Sequence, residues 1–198
     1  MSADKDKTLL ALVSTLKQRK LQPDKVMEQL TMVYLFIKEN PTVLATPHTV
    51  KKLVKQFVRT VGSNAGEAVA HFALALLCYI LPHVTQRNLL GHVYDCVRSY
   101  PAQYLTPQSA STALAALGYL AYCQPEFPTS QLLVSAAFAA GCMKRFPESP
   151  DVALHAARAL LVFTREREVV TDLTVHSAWV VVVQAIQLHT ATSVQEVL

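Results

Sequence analysis

The chain is short of the residues that build common active sites. Only five Gly occur in 198 residues, and the one Gly-flanked loop, "GSNAGE" (62–67), has neither the glycine spacing nor the lysine of a phosphate-cradling loop. No G-x-S-x-G elbow and no H-E-x-x-H helix is present, so the usual serine-nucleophile and zinc-hydrolase patterns are missing. The four cysteines, Cys78, Cys96, Cys123 and Cys142, stand 18, 27 and 19 residues apart, which leaves no C-x-x-C pair for a zinc ribbon or a dithiol redox centre. Each lies in or at the end of an apolar run and reads as a reduced, buried thiol of an intracellular protein. His92 and Cys96 have metal-ligand spacing on a helix but lack two further ligands. Carboxylates are scattered. On this reading there is no catalytic residue, metal or cofactor to assign, and the chain is expected to bind rather than to react.

Long hydrophobic runs are missing too. The most apolar stretch, "AVAHFALALLCYIL" (68–81), is 14 residues long, carries His71 and stops at Pro82. A bilayer span needs about 20 residues, so a buried helix is expected and no membrane span. Asp4 and Asp6 precede the apolar residues 9–16 without a small-residue cleavage site after them, unlike a secretory signal. The absence of Arg from the first 18 residues is unlike a mitochondrial transit peptide.

What is present is helical periodicity. Hydrophobic residues make up 52% of the chain and charged ones 16%, ample material for a core. Val50, Leu53, Val54, Phe57, Val58 and Val61 fall on one helix face. Thr46-Pro47, Thr106-Pro107 and Ser149-Pro150 each place a capping hydroxyl before a proline at the first helical position. Gly62 reads as a helix stop. The pattern predicts helices at about 6–18, 23–38, 47–61, 65–81, 86–100, 107–122, 129–146, 150–164 and 174–189. "VVVV" (180–183) is β-branched, but the apolar run around it is too long for a usual strand and is read as helix. "REREVV" (165–170) reads as a solvated turn.

These helices repeat. The second helix of each proposed pair opens near residues 23, 65, 107, 150 and 193, steps of 42, 42, 43 and 43. "HFALALLCY" (71–79) aligns without a gap on "HAARALLVF" (155–163) at an offset of 84. Small residues such as Ala73, Ala75, Ala116 and Ala159 allow close helix approach. The expectation is an all-α fold: one right-handed α-solenoid domain, 1–198, of about four and a half helix-turn-helix repeats with a period of about 42–43. Its units would be about 6–38, 47–81, 86–122, 129–164 and an incomplete 174–198. The last opens with a capping box, Ser193 and Glu196, too close to Leu198 to make a stable helix. Either the native protein continues or a partner covers this edge.

Pro107, Gln108, Leu114, Ala116, Leu117 and Leu120 in "PQSASTALAALGYL" (107–120) resemble the second helix of octotricopeptide-type repeats, found in organellar RNA-binding proteins. The resemblance covers one repeat. It departs from the family at Ala115, where Trp is common, and the period here is longer. It implies RNA binding and, for the compartment, the mitochondrion. "SPDVALHAARALLVFTREREVV" (149–170) is similar to an armadillo second helix, and the period suits armadillo and HEAT repeats better. That likeness implies a protein–protein adaptor with no nucleic-acid role, in the cytoplasm or another intracellular compartment.

Charge is unevenly spread. Residues 1–62 hold eleven Lys and Arg against five acids, a net +6, while residues 63–198 carry −2. Lys51, Lys52, Lys55 and Arg59 lie opposite the Val50–Val61 stripe, and Lys17, Arg19 and Lys20 crowd the preceding turn. These seven are the candidate contacts to RNA or to an acidic partner, because clustered cations neutralise phosphates without reading sequence. The competing explanation is an ordinary solvated helix face. Tyr34, Phe36, Phe57, Tyr94, Tyr119 and Trp179 are the aromatic candidates for base stacking, but they sit on or beside apolar stripes rather than among the cations. The expected role is therefore a scaffold or binding subunit of a larger assembly, a ribonucleoprotein, whose partners are other protein subunits and RNA.

Overall fold

The structure, a computed structural model, describes residues 2–16, 22–63, 66–100, 102–124, 127–175, 180, 182–184 and 187. Among them there are helices and turns but no strand. The chain divides into two compact units, Met1–Tyr104 and Leu105–Leu198. The boundary falls inside the expected third repeat, 86–122.

The first unit holds α1 (Ser2–Thr15), α2 (Pro23–Glu39), α3 (Pro47–Val61), α4 (Glu67–Ile80) and α5 (Arg87–Arg98). Short 3-10 turns at Pro41–Ala45, Leu81–His83 and Ala102–Tyr104 join or follow them. Sequence neighbours pair, α1 with α2 and α3 with α4, and next-but-one helices also pack, α1 with α3, α2 with α4 and α3 with α5. The second unit holds α6 (Pro107–Cys123), α7 (Thr129–Arg145), α8 (Pro150–Phe163) and α9 (Arg167–Val175). Here α7 pairs with α8, while α6 packs on α8 and α7 on α9.

Burial shows why these segments are helices and why they recur. The even-numbered helices bury a quartet at i, i+4, i+7 and i+11: Val26, Leu30, Val33, Ile37 in α2; Val69, Ala73, Leu76, Ile80 in α4; Ser109, Ala113, Ala116, Leu120 in α6; Val152, Ala156, Ala159, Phe163 in α8. The register steps by 43, 40 and 43. The alignment at an offset of 84 is therefore one residue out of phase. It pairs Leu77, 1% exposed, with Leu161, 75% exposed. A proline fixes where a helix may begin, but which residues are buried follows from the face turned to the neighbour, and 100° per residue makes a one-residue slip visible at once.

Local chemistry explains several ends. Thr106 accepts from Ser109 N at 3.3 Å while Ser109 Oγ accepts from Thr106 N at 2.9 Å, a reciprocal cap of α6. Ser149 Oγ accepts from Val152 N at 3.4 Å at the start of α8. Thr46 departs from this pattern: its hydroxyl does not cap α3 but donates to Asp6 Oδ2 of α1. Gly62 does close α3, yet at φ −77°, so it makes no use of glycine's left-handed freedom. Gly66, at φ +100° before α4, does.

"REREVV" is not wholly a solvated turn: α9 begins at Arg167, and Val169 and Leu173, four apart, are both buried. Val180, Val182 and Val183 are helical, as read from the length of the run. The capping box at Ser193 and Glu196 lies outside the described residues.

In the second unit α6 and α8 approach closely at Gly118. A Cβ on Gly118 would stand 3.2 Å from Ala159 Cα and 3.3 Å from Ala159 Cβ, so the missing side chain and the alanine set the spacing of the two helices.

Candidate anion-binding interface

Four of the seven candidate cations lie on α3. Taking Lys51 as the origin, the 100° helical step places Lys55 at about 40°, Arg59 at about 80° and Lys52 at about 100°. Lys52, Lys55 and Arg59 are exposed and Lys51 is half-buried. Lys17, Arg19 and Lys20 lie outside the described residues. None of the four α3 cations makes an ion pair among the described residues, although acids occur elsewhere in this unit.

The opposite side of α3 is buried, and more widely than its apolar stripe suggests. Thr49, Gln56 and Thr60 are buried as well, at 0%, 4% and 5% exposure. They stand in the register that α5 and the chain just past its end fill with Leu89, Cys96 and Tyr100, and α7 with Leu132, Ala139 and Met143. This polar seam meets α1. Gln56 Nε2 donates to Leu16 O at 3.1 Å, satisfying a carbonyl left over at the end of α1. At the other end Thr46 and Thr49 donate to Asp6 Oδ2 and Oδ1, at 3.0 and 3.3 Å. Asp6 thereby supplies the negative charge at the N-terminus of α3 that the helix's own first turn lacks. On its other flank α1 is tied to α2 by a hydrogen bond from Thr15 Oγ1 to Gln29 Oε1.

Beside the seam, between α1 and α3, a cavity of about 410 Å³ opens. Leu10, Val13 and Ser14 of α1 and Lys52, Lys55, Gln56 and Arg59 of α3 line it. The structure thus brings together three of the predicted cations and leaves Lys51 off the lining. No carboxylate among the described residues lines the cavity. The seam residues Thr49, Gln56 and Thr60 were missed from sequence because they interrupt the apolar rhythm. Their signal was positional: they recur at i, i+7 and i+11, the spacing of the buried quartets.

None of the described aromatic candidates lines this cavity. Phe57 and Tyr94 are buried in the core. Tyr34 packs edge-on against Phe72 and Tyr79, with centroids 6.3 and 6.0 Å apart, on α2 and α4. Trp179 lies outside the described residues.

No Cys or His among the described residues lines the cavity either. Burial pushes Cys78, Cys96 and Cys142 up to about 12, with the nearby Cys96 adding to the effect at Cys78 and Arg145 opposing it at Cys142, so all three are neutral thiols near pH 7. The His92–Cys96 pair does not form: Cys96 is buried with its Sγ 3.9 Å from Val58 O, while His92 is exposed. No group of three or more His, Cys, Asp or Glu is placed to hold a metal among the described residues. Within the same residues no helix is long and apolar enough to cross a membrane.

Comparison with protein-family models, curated proteins and solved structures finds no match to this chain.

Proposed function

We propose that the chain is a non-catalytic helical-repeat scaffold, a subunit of a ribonucleoprotein, whose first unit binds RNA through the basic face of α3. One observation carries the reading: Lys52, Lys55 and Arg59 converge on one cavity with no ion pair among the described residues. An ordinary solvated face would gain from interspersed acids. Here Lys51–Lys55 and Lys55–Arg59 are like-charge pairs at i, i+4 and Lys52–Lys55 one at i, i+3, each destabilising by about 0.2–0.5 kcal/mol. A face that retains this repulsion suits a ligand that removes it, and phosphate is such a ligand. Lys17, Arg19 and Lys20, close in sequence to the end of α1, are further contacts to the RNA on this reading.

The recurring buried quartets and the packing of next-but-one helices within each unit support a right-handed α-solenoid of about four and a half repeats. Each unit also exposes large apolar side chains: Met32, Leu35 and Tyr79 on α2 and α4, and Tyr122, Leu154 and Leu161 on α6 and α8. Such side chains suit contact with other protein subunits. The organellar repeat likeness points to the mitochondrion. The same apolar faces favour a second reading, an armadillo- or HEAT-like adaptor that meets no nucleic acid.

Gel-shift titration with a single-stranded RNA at low salt separates the two. The wild-type chain binds, and the variant carrying Lys51→Glu, Lys52→Glu, Lys55→Glu and Arg59→Glu does not. Absence of binding by the wild-type chain at low salt would leave the adaptor reading standing.

A further inference from the structure

We infer that the cavity between α1 and α3 seats a single nucleoside phosphate, its phosphate on Lys52, Lys55 and Arg59 and its sugar and base on the wall made by Leu10 and Val13. The inference rests on the RNA-binding reading for the source of that nucleotide, which is one residue of the bound strand. Three features go beyond a merely basic surface. First, the volume of about 410 Å³ falls within the roughly 300–1,000 Å³ of small-ligand clefts, so a group can enter rather than lie across the face. Second, the two walls differ in kind. The α3 wall is cationic, while Leu10 and Val13 of α1 are apolar, with Ser14 exposed at the same wall. A phosphate alone would have no use for an apolar wall, and an apolar ligand none for three cations. A nucleotide has both parts, and a base can lay its face on apolar as well as aromatic side chains, here chiefly on half-buried Leu10 since Val13 is 2% exposed.

Third, the cavity is built, not incidental. Its floor includes Gln56, 4% exposed, with Nε2 committed to Leu16 O. That hydrogen bond and the Asp6 contacts at the far end hold α1 against α3 on either side of the opening. The close-packed register of α5 and α7, where Cys96 and Ala139 replace Gln56, has no such polar strut.

The test uses the full chain, an eight-nucleotide single-stranded RNA and free adenosine monophosphate as probes. Two variants are compared with wild type: Ser14→Trp, which fills the opening from an exposed position without changing charge, and Lys144→Gln, which removes a cation in the other unit. Methyl NMR of Leu10 and Val13 follows the same titrations in wild type, so the question stays open to test even if Ser14→Trp unfolds. The expected result is a tenfold or greater loss of RNA affinity in Ser14→Trp, little change in Lys144→Gln, and shifts of both methyl sets on saturation. RNA binding that ignores Ser14→Trp and leaves those methyls unmoved overturns the cavity while leaving RNA binding on the open face intact. Adenosine monophosphate binding that Ser14→Trp abolishes, with no RNA binding, upholds the cavity and overturns the strand as its source. Binding of neither probe overturns both.

Discussion

Reversing one charge at the centre of the α3 face should raise stability and lower function together. Lys55 stands between Lys51 and Arg59 at i ± 4 and beside Lys52 at i − 3. In Lys55→Glu three like-charge pairs become three opposite-charge pairs. Each conversion is a swing of about 0.4–1 kcal/mol, since repulsion of about 0.2–0.5 kcal/mol is lost and attraction of similar size gained. The exposure of Lys52, Lys55 and Arg59 calls for a discount, because water and salt screen such pairs. About 1 kcal/mol at low ionic strength is the resulting expectation, or roughly 2–4 °C in Tm. The assay is thermal unfolding by circular dichroism at about 20 mM and about 500 mM salt, where the Debye length shrinks from roughly 20 to 4 Å and most of the gain should vanish. RNA affinity of the same variant should fall at least tenfold at the lower salt. A variant that is unchanged or less stable at low salt refutes the picture of an unpaired cationic face. Higher stability with undiminished RNA affinity refutes its use for binding.

Four further outcomes follow from the packing and the titrating groups. Gln56→Met keeps the length of the side chain but leaves Leu16 O without its donor, which should cost about 1–2 kcal/mol and speed amide exchange at the end of α1; unchanged exchange there contradicts the strut. Gly91→Ala, in α5 with nothing within 4 Å of the added methyl, should stabilise by about 0.5–1 kcal/mol, whereas Gly118→Val drives side-chain atoms into Ala159 and should cost about 1–3 kcal/mol; equal responses in chemical denaturation refute the α6–α8 contact. His155 is held below its ordinary 6.5, first by burial and then by Arg158, against the opposing pull of Asp151, so its contribution to stability is complete above about pH 6.5 and is lost as pH falls through the lowered folded value. Tm should therefore drop more steeply between pH 7 and pH 5 in wild type than in His155→Gln, and parallel profiles would count against this assignment. Among the thiols, exposed Cys123 should react with an aromatic disulfide reagent at pH 8 well before Cys78, Cys96 and Cys142; simultaneous reaction of all four would show that the helices open together.

The helices were legible because their cues are local. Pro23, Pro47, Pro107 and Pro150 each open a helix where they were read to, and the 3.6-residue rhythm carried the rest. α9 was passed over because "RERE" looks solvated, and only Val169 and Leu173 betray its buried side. The burial register was harder. Residues 71–79 and 155–163 match best at 84 by letter, yet pack at 83, since packing is decided by which face meets a neighbour and letters do not carry that. Thr46 illustrates the same limit. As a helix-opening hydroxyl it reads as a cap, but Asp6, forty residues away, competes for it and wins. For the candidate site, the cations were visible as a cluster, and the choice of Lys52, Lys55 and Arg59 over Lys51 needed the position of α1. The polar seam was hidden because buried polar residues are recognised by their partners: Asp6 for Thr49 and Leu16 O for Gln56 lie at the two ends of α1, and Thr60 turns back on Gln56 O of its own helix.

The most direct measurement of the central claim is the salt dependence of RNA binding. The phosphate seated in the cavity and its two neighbours along the strand, neutralised together by Lys52, Lys55 and Arg59, give a slope of log K against log salt of about −2 for a single strand, at roughly −0.7 per phosphate. Engagement of Lys51, Lys17, Arg19 and Lys20 as well would steepen it towards about −5 on the same scale. Arg59→Gln should make the slope shallower by about 0.7 and weaken binding to different sequences alike. A slope near zero, an unchanged slope in Arg59→Gln, or no RNA binding at about 20 mM salt, where such contacts are strongest, contradicts the claim that this face binds RNA.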